Sequence, residues 1–423
     1  MSTLKAILAL TPRSLVNRRV TAGLTVFAIA VSVMLVLGVE KVRHEAKASF
    51  ANTISGTDLI VGARSGSIQL LLYAVFRIGN ATNNISWKSY QAIAERRDVA
   101  WAVPISLGDS HRGFRVMGTT ADYFRHYRYG TKRPLKFRAG QPFDDVFDAV
   151  VGADVARALG YELGDPIVVA HGLGAAGFSS HADKPFKVAG VLAKTGTPVD
   201  RTVHVTLAGI EAIHVDWRGG SRVPGLTITA EQVRRMDLTP KSITAFMVGL
   251  KSRLSAFAVQ RAINGHSREP LLAILPGVAL QELWDLIGTA ETALAAVSMF
   301  VVAGGLLGML TMLLSGLNER RREMAILRAV GARPAHVFVM LISESALISL
   351  AGSALGVAML YAGLLIGQPI IDARFGLYLP IAPPSAADLT ILALVFSAGL
   401  VAGALPAYRA YRHSVADGMV VRT

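Results

Sequence analysis

The distribution of apolar residues along the chain predicts four membrane-spanning helices. A helix needs about 20 mainly apolar residues to cross the hydrocarbon core of a bilayer. Residues 20–39 (VTAGLTVFAIAVSVMLVLGV) meet this requirement without a charged side chain, and the run is longer than a signal-peptide core. Three further apolar stretches lie in the C-terminal third, at residues 289–317, 337–366 and 389–405. One retained span is therefore followed by three, with residues 40–288 between the first and the second.

Residues 40–288 alternate between strand and helix patterns, which predicts a mixed α/β domain. Short β-branched runs indicate strands at Asp148–Val151, Pro166–Ala170, Phe186–Leu192, Thr202–Leu207 and Leu226–Thr229. Helical spacing of apolar residues occurs at Trp87–Arg96, Ala153–Leu159 and Arg253–Asn264. The apolar segment Ser67–Ile78 is too short to span a bilayer, so it is either a buried helix or a helix on the membrane surface. The predicted fold is an integral membrane α-helical protein with four transmembrane helices in a one-plus-three arrangement and a large mixed α/β extracytoplasmic domain inserted between helices 1 and 2.

The composition agrees with a membrane protein. Of the 423 residues, 52% are hydrophobic and only 17% are charged, whereas soluble domains usually carry about 25% charged residues. This difference argues against a wholly cytosolic enzyme. The absence of cysteine excludes disulfide frameworks, thiolate metal sites and cysteine nucleophiles.

The positive charge of the chain lies beside the predicted spans, which sets their orientation. The formal net charge is +14, and basic residues in short loops mark the cytoplasmic side of a membrane. They occur before the first span, between the second and third, and after the fourth: Lys5, Arg13, Arg18, Arg19, Arg320, Arg321, Arg322, Arg328, Arg333, Arg409, Arg412 and Arg422. Because these residues follow the spans rather than one face of a domain, nucleic-acid binding is not expected.

This charge distribution predicts a multi-pass protein of the cell inner membrane with both termini in the cytoplasm. An amphipathic N-terminal helix at residues 1–19, a loop at residues 318–336 and a tail at residues 406–423 are expected on the cytoplasmic side. The domain at residues 40–288 and a short loop at residues 367–388 are expected in the periplasm.

Several catalytic motifs are absent from the sequence. No Gly-Lys dipeptide occurs, so the chain lacks a Walker A loop. His44 and Glu45 start like a zincin helix, but the second histidine of that motif is missing, and no G-x-S-x-G motif occurs. The glycines of HGLGAAG (Gly172, Gly174 and Gly177) match a dinucleotide-binding pattern, but a strand rather than a helix is predicted after them. We interpret this segment as a hairpin loop.

Four histidines, His171, His181, His204 and His214, lie in one part of the predicted outer domain, with Asp183 and Asp216 nearby. Imidazole and carboxylate groups are zinc ligands, but these spacings match no compact ligand motif. Surface or hydrogen-bonded histidines are therefore the favoured interpretation. If the chain binds a metal ion, this is the region where binding is expected.

Pairs of glycines four residues apart recur in the predicted spans. In lipid, glycine lets two helix backbones approach closely, so these pairs predict helix packing. The pairs are Gly304 with Gly308, Gly352 with Gly356, Gly363 with Gly367, and Gly399 with Gly403. Glu344 is an intramembrane polar residue in the third span, and it is either a functional group or a structural hydrogen-bonding anchor.

The predicted cytoplasmic loop contains a short amphipathic helix. Apolar and charged residues between Glu319 and Val330 have helical spacing, and Gly331 follows as a C-cap signal. Such a helix either lies on anionic lipid or docks its apolar face into a groove of a cytoplasmic partner.

The stretch NERRREMAILRAVGARPAHV resembles the coupling-helix signature E-R-x-x-E-[IM]-[AG]-x-L-[RK]-A-[LVI]-G-A of MacB/FtsX/LolC-type ABC transporter permeases, the FtsX-like permease family. The resemblance extends to ALTPRSLVNRR before the first span, to VVGADVARALGYELGD in the outer domain and to ESALISLAGSALG in the third span. It also covers the one-plus-three order of the spans and the large insert.

The resemblance implies a permease dimer bound to a cytoplasmic ABC ATPase dimer, and a homodimer is favoured over a heterodimer. No cofactor is implied for this chain, because ATP and magnesium belong to the partner ATPase, and this chain is not itself an enzyme. The implied role is mechanotransmission, in which closure of the ATPase moves the periplasmic domains to export or extract a substrate. The residues implied in ATPase coupling are Glu319, Arg320, Arg321, Arg322, Glu323, Met324, Ile326, Leu327, Arg328, Val330 and Gly331.

A second hypothesis keeps the same architecture but moves no cargo. In it the chain is a membrane signalling scaffold that regulates a periplasmic enzyme or lipoprotein. A third hypothesis, an intramembrane enzyme that uses Glu344, is disfavoured because the spans contain no second catalytic carboxylate or metal pair.

Overall fold

Four long helices contain the apolar stretches. They span Arg19–Thr53, Pro276–Glu319, Pro334–Phe375 and Ala386–Arg412, and each contains a segment long and apolar enough to cross a membrane. The structure, a computed structural model, describes residues 15–16, 18–171, 181–218, 221–223, 228–319, 326, 329, 331–375 and 381–412. The predicted order of one helix near the N-terminus and three in the C-terminal part is confirmed.

Local sequence signals define where two of the long helices begin. The third starts at Pro334, and proline suits the first helical turn because no partner is needed for its missing N–H group. At the fourth, the Ser385 hydroxyl accepts from the Asp388 backbone N–H at 3.2 Å, and the Asp388 carboxylate accepts from the Ser385 backbone N–H at 2.8 Å. This reciprocal pair is a capping box, which satisfies two backbone donors that the helix itself leaves unpaired.

The chain divides into two compact units. The membrane unit contains residues 1–45, 288–370 and 379–423, and the outer unit contains residues 46–287 and 371–378. Within the membrane unit, Glu344, Ser345 and Ser349 are buried among the helices.

An eleven-stranded sheet forms the centre of the outer unit. The order of the main strands is Leu271–Ile274, Leu59–Ala63, Ala245–Leu250, Val99–His111, Phe114–Thr119, Thr202–Thr206, Asp148–Val151, Phe186–Leu192 and Phe137–Gly140. Ala170–His171 pairs with Val99–His111, and Pro166–Ile167 pairs with Phe186–Leu192. Two neighbouring pairs in this order are parallel, Phe114–Thr119 with Thr202–Thr206 and Asp148–Val151 with Phe186–Leu192, and the others are antiparallel.

Helices and short ribbons complete the outer unit. Its α-helices are Ser67–Leu71, Trp87–Ala94, Asp122–His126, Ala153–Leu159, Leu207–His214, Ala230–Val233 and Ala256–Asn264, with a π-helix at Leu72–Phe76 and 3-10 turns at Pro198–Arg201 and Arg253–Ser255. Two-stranded ribbons join Ile85–Ser86 to Ser242–Ile243, Arg128–Tyr129 to Arg133–Pro134, and Trp217–Arg218 to Ser221–Arg222. Strand residues such as Val151 and Val205 pack with helix residues such as Val155 and Ile213 in one hydrophobic cluster. The mixed α/β character predicted for this region is confirmed.

The apolar segment Ser67–Ile78 is helical from Ser67 to Phe76, and most of this helix is buried. Its residues Leu70, Leu71, Tyr73 and Ala74 are almost fully buried within the outer unit. Because these apolar side chains are buried in protein, the segment is a buried helix rather than a helix on the membrane surface. Of the predicted strand Leu226–Thr229, residues 226 and 227 lie outside the described residues, and Thr229 is the N-cap of the helix Ala230–Val233.

Candidate functional site

Three of the four histidines singled out in the sequence come together in the outer unit. The Nε2 atom of His171 lies 3.1 Å from Nε2 of His181 and 3.2 Å from Nε2 of His214. One nitrogen from each ring lies within 4.8 Å of the others, which is within reach of a single metal ion. Sequence spacing did not predict this convergence, because the three residues come from different elements.

Strand register and helix capping position these rings. His171 lies opposite Asp109 in the antiparallel pairing of Ala170–His171 with Val99–His111, and its Nδ1 is 2.9 Å from Asp109 Oδ1. His181 donates its backbone N–H to Val169 O at 2.9 Å. His214 ends the helix Leu207–His214, whose first turn is capped by the Thr206 hydroxyl. Asp109 is a residue of this site that the sequence patterns did not reveal, because it lies on a distant strand.

The three rings have different environments. The hydrogen bond to Asp109 raises the pKa of His171 above its ordinary value. Burial lowers the pKa of His181 to about 4, because a desolvated imidazole disfavours the charged form. The Trp217 ring packs on His181 and His171 with centroid separations of 4.5 and 5.3 Å, so the cluster has an aromatic wall.

His204 does not join the cluster. It lies inside the hydrophobic core against Tyr123 and Phe124, and its Nδ1 is 3.1 Å from the Val150 carbonyl. Burial lowers its pKa to about 3, so the ring is neutral at ordinary pH. For this histidine the interpretation as a hydrogen-bonded core residue agrees with its position.

The glycines of HGLGAAG, Gly172, Gly174 and Gly177, lie outside the described residues.

In the membrane unit, four of the predicted packing glycines lie against neighbouring helices. A Cβ atom at Gly352 would be 2.6 Å from Ile29 Cγ2, and one at Gly356 would be 2.6 Å from the Ala30 carbonyl oxygen. Added Cβ atoms at Gly399 and Gly403 would overlap the side chains of two buried serines, Ser349 and Ser345 respectively. These four glycines therefore permit close approach of the helices, as expected in lipid.

Gly304 and Gly308 differ from these four. No described heavy atom outside their own helix lies within 4 Å of the position that a Cβ would take at either residue. A Cβ atom added at their neighbour Gly305 would be 3.1 Å from Ser32 Oγ and 3.7 Å from Ala28 O. Gly305, Ser345 and Ser349 are packing residues that the search for paired glycines missed, although Ser345 and Ser349 form a small-x-x-x-small pair that could have revealed them.

We expect Gly403→Ala to destabilise the membrane unit by about 1 to 3 kcal/mol, the usual cost of overpacking a close contact. The added methyl group would overlap both Cβ and Oγ of Ser345, so a rotation of the hydroxyl alone cannot relieve the clash. The midpoint of thermal unfolding of the purified chain in detergent measures this effect. Gly23→Ala is the matched control, because no described atom lies within 4 Å of a Cβ added there. Ser345→Gly in the Gly403→Ala background should recover the midpoint. Equal midpoints for Gly403→Ala and Gly23→Ala would contradict the assigned contact.

Glu344 lies inside the membrane unit with only 2% of its surface exposed. The adjacent Ser343 and Ser345 donate their hydroxyls to the carbonyls of Val339 and Leu341 at 2.7 and 3.0 Å, as serines in membrane helices often do. This burial places Glu344 among the helices rather than against lipid.

The predicted coupling segment is only partly described. Glu319 is the last residue of its helix, Ile326 is helical with 56% of its surface exposed, and Gly331 has a φ of 103°, which glycine adopts without strain. The other residues of this set lie outside the described residues: Arg320, Arg321, Arg322, Glu323, Met324, Leu327, Arg328 and Val330.

Comparison with protein families agrees with this architecture. The MacB-like periplasmic core domain matches residues 22–265, and the C-terminal region of FtsX-like permeases matches residues 295–415. The chain belongs to the MacB-like ABC transporter permease family. The resemblance found in the coupling signature is thus confirmed at the level of the family.

Relatives of this MacB-like permease include larger proteins. The macrolide export ATP-binding/permease protein MacB of Nitrobacter winogradskyi is 23% identical over 411 residues, which cover 93% of this chain and 57% of that protein. The protein of the same name from an Azoarcus species is 26% identical over 413 residues, covering 92% of this chain and 56% of that protein. The chain spans slightly more than half the length of these relatives. The crystal structure of the periplasmic region of MacB from Actinobacillus actinomycetemcomitans covers 55% of this chain and 94% of that chain, with 12% identity and a TM-score of 0.34.

Proposed function

We propose that this MacB-like permease acts by mechanotransmission, passing the ATP-driven closure of a cytoplasmic ABC ATPase dimer to its periplasmic domain to export or extract a substrate. The observation that carries the proposal is a pair of long helices with direct contacts along them. Arg19–Thr53 and Pro276–Glu319 have 35 and 44 residues. At 1.5 Å per residue they are about 52 and about 66 Å long, well beyond the roughly 30 Å of a hydrocarbon core.

These two helices contact each other through side chains at several levels. In the membrane unit, the Thr25 hydroxyl lies 3.4 Å from Met312 Sδ, and the Ser32 hydroxyl donates to Val301 O at 3.0 Å. Further along, Arg43 lies 3.9 Å from the Glu291 carboxylate. In the outer unit, the Lys47 ammonium lies 5.5 Å from the centroid of the Trp284 ring. Paired helices of this kind suit the transmission of movement, because a displacement of one is passed to the other.

The cytoplasmic partner would bind the residues between Glu319 and Gly331. In the described part of this segment, Ile326 exposes an apolar side chain, which suits docking into a hydrophobic groove. Met324 and Leu327 would be the other buried anchors, with the four arginines of the segment at the rim. ATP and magnesium would be held by the ATPase, because this sequence contains no Walker A loop.

The basic residues beside the spans support a place in the inner membrane with both termini in the cytoplasm and the outer unit in the periplasm.

A second copy of the chain would complete the assembly. Gly304 and Gly308 support this arrangement, because no described atom of another helix covers them and glycine pairs are suited to contacts between helices.

The test is a pull-down of the tagged chain from detergent-solubilised membranes of its own host, followed by mass spectrometry and an ATP hydrolysis assay. Recovery of an ABC ATPase at about one copy per permease, with hydrolysis, is the expected result. Recovery of the chain with periplasmic proteins but without an ATPase would overturn the proposal and favour the signalling scaffold. If an ATPase is present but a periplasmic protein alone stimulates it and no substrate is moved, regulation without transport is the better description.

A further inference from the structure

The convergence of three imidazole nitrogens in the outer unit has no role in the proposed transmission of movement. The Nε2 atom of His171 is the central one. It lies 3.1 Å from Nε2 of His181 and 3.2 Å from Nε2 of His214. At these distances each nitrogen either donates a proton or presents a lone pair to its neighbour, so the positions of the protons decide whether a contact is attractive or repulsive.

The hydrogen bonds at the far side of the rings determine which nitrogens carry protons. His171 Nδ1 faces the Asp109 carboxylate at 2.9 Å, and His214 Nδ1 faces the Ile210 carbonyl oxygen at 2.6 Å. Both oxygens only accept hydrogen bonds, so both Nδ1 atoms carry the proton. In neutral rings, Nε2 of His171 and Nε2 of His214 are then lone pairs that face each other at 3.2 Å. A positive charge between them turns this repulsive arrangement into a favourable one.

We propose that His171, His181 and His214 bind a divalent transition-metal cation, and zinc in particular, through their Nε2 atoms. Zinc binds imidazole nitrogen at about 2.0 to 2.1 Å, so two ligands of a tetrahedral site are about 3.3 Å apart. Two of the three separations, 3.1 and 3.2 Å, come close to this value, and all three ligand atoms lie within 4.8 Å of one another. An all-nitrogen ligand set favours zinc and its neighbours over magnesium and calcium, which prefer oxygen ligands.

The surroundings of the three rings are those of a metal site. Histidines that bind zinc usually donate their second N–H to a carboxylate or a backbone carbonyl, which is how Asp109 and the Ile210 carbonyl contact His171 and His214. The buried Nδ1 atom of His181 has no hydrogen-bonding partner among the described residues. Three protein ligands leave a fourth position for water or another small ligand, which is typical of sites that exchange their ligands. The proposal does not rest on the transport function.

Zinc binding is tested with the full chain, purified in detergent with a tag that contains no histidine and stripped of metal with a chelator. Zinc is added in competition with a chromogenic chelator, and bound metal is counted by elemental mass spectrometry. We expect one tightly bound zinc ion per chain. The double variant His171→Gln, His214→Gln should lose at least about 100-fold in affinity, and Asp109→Asn should lose about 10- to 100-fold, as is usual for residues that orient a ligand.

His266→Gln is the matched control, because His266 lies in the same unit but contacts Ser89 rather than the cluster. It should bind zinc like the unchanged chain. Far-UV circular dichroism of the metal-free variants checks that each still folds.

A measurement on the unchanged chain avoids any dependence on the folding of variants. Cobalt(II) substituted for zinc should give the visible absorption bands of a tetrahedral site with nitrogen ligands, and zinc should displace it. Absence of tight zinc binding by the unchanged chain, or full retention of it by the double variant, would overturn the proposal. Neither result would bear on the recovery of an ATPase in the pull-down.

Discussion

Met324→Glu and Leu327→Glu are each expected to reduce co-purification of the partner ATPase by at least about 100-fold, equivalent to about 2.7 kcal/mol. In the proposed docking mode these two side chains enter an apolar groove of the ATPase. A carboxylate placed there loses its hydration without gaining a partner, and this costs several kcal/mol. Chain abundance in the membrane should remain unchanged, because Ile326 between these residues is exposed and the segment is not part of the described core. Quantitative mass spectrometry of the pull-down, with ATP hydrolysis as a second readout, measures the effect.

Leu254→Glu is the matched control for these variants. It makes the same change of side chain at a residue of the outer unit that is 95% exposed. This variant should retain the ATPase in full. If Leu327→Glu and Met324→Glu retain it equally well, the segment between Glu319 and Gly331 is not the docking helix.

Lys184→Met is expected to destabilise the outer unit by about 3 to 5 kcal/mol, the usual cost of removing one partner of a buried ion pair. The Lys184 ammonium is fully buried and lies 2.7 Å from the fully buried Asp216 carboxylate and 3.1 Å from Asp183. Without it, the buried Asp216 carboxylate would lose the ammonium group that lies 2.7 Å from it.

Tryptophan fluorescence during denaturant unfolding of the full chain, recorded in a chelator, measures this loss. All four tryptophans, Trp87, Trp101, Trp217 and Trp284, lie in the outer unit and therefore report on it alone. Lys187→Met removes the same charge from an exposed position and should change the free energy of unfolding by less than about 0.5 kcal/mol. Adding Asp216→Leu to Lys184→Met should restore part of the stability, since the buried carboxylate that lost the Lys184 ammonium is then removed as well. A similar loss in both lysine variants would show that the buried pair has no special role.

The histidines show how far sequence patterns could predict a site. The residue types indicated the region in which three histidines converge, since His171, His181 and His214 were all candidate ligands. Their separation along the chain argued against a compact site. In the structure, His171 lies in a strand pair and His214 at the end of a helix, and the two meet. The residues next to each histidine in the chain do not determine this meeting. His204 has the same residue type but lies in the core, because its strand position directs it inward.

The packing glycines show the same distinction. Glycine spacing identified helix faces suited to close approach, and Gly352, Gly356, Gly399 and Gly403 do lie against neighbouring helices. The same spacing gave no means of separating them from Gly304 and Gly308, which have open space around them among the described residues. Which glycine meets a neighbour depends on the rotation of each helix about its axis, and only the packed bundle sets that rotation.

The sequence by itself determined the four spans and the large outer domain, because each depends on residues that are adjacent in the chain. Twenty consecutive apolar residues need a membrane whatever the rest of the chain does, and the alternation of strand and helix patterns is equally local. The tertiary structure alone decided that Asp109 would face His171 across 62 residues, because that contact depends on the register between two distant strands. A shift of one residue in that register would turn the two side chains to opposite faces of the sheet, so the cluster exists only in the folded outer unit.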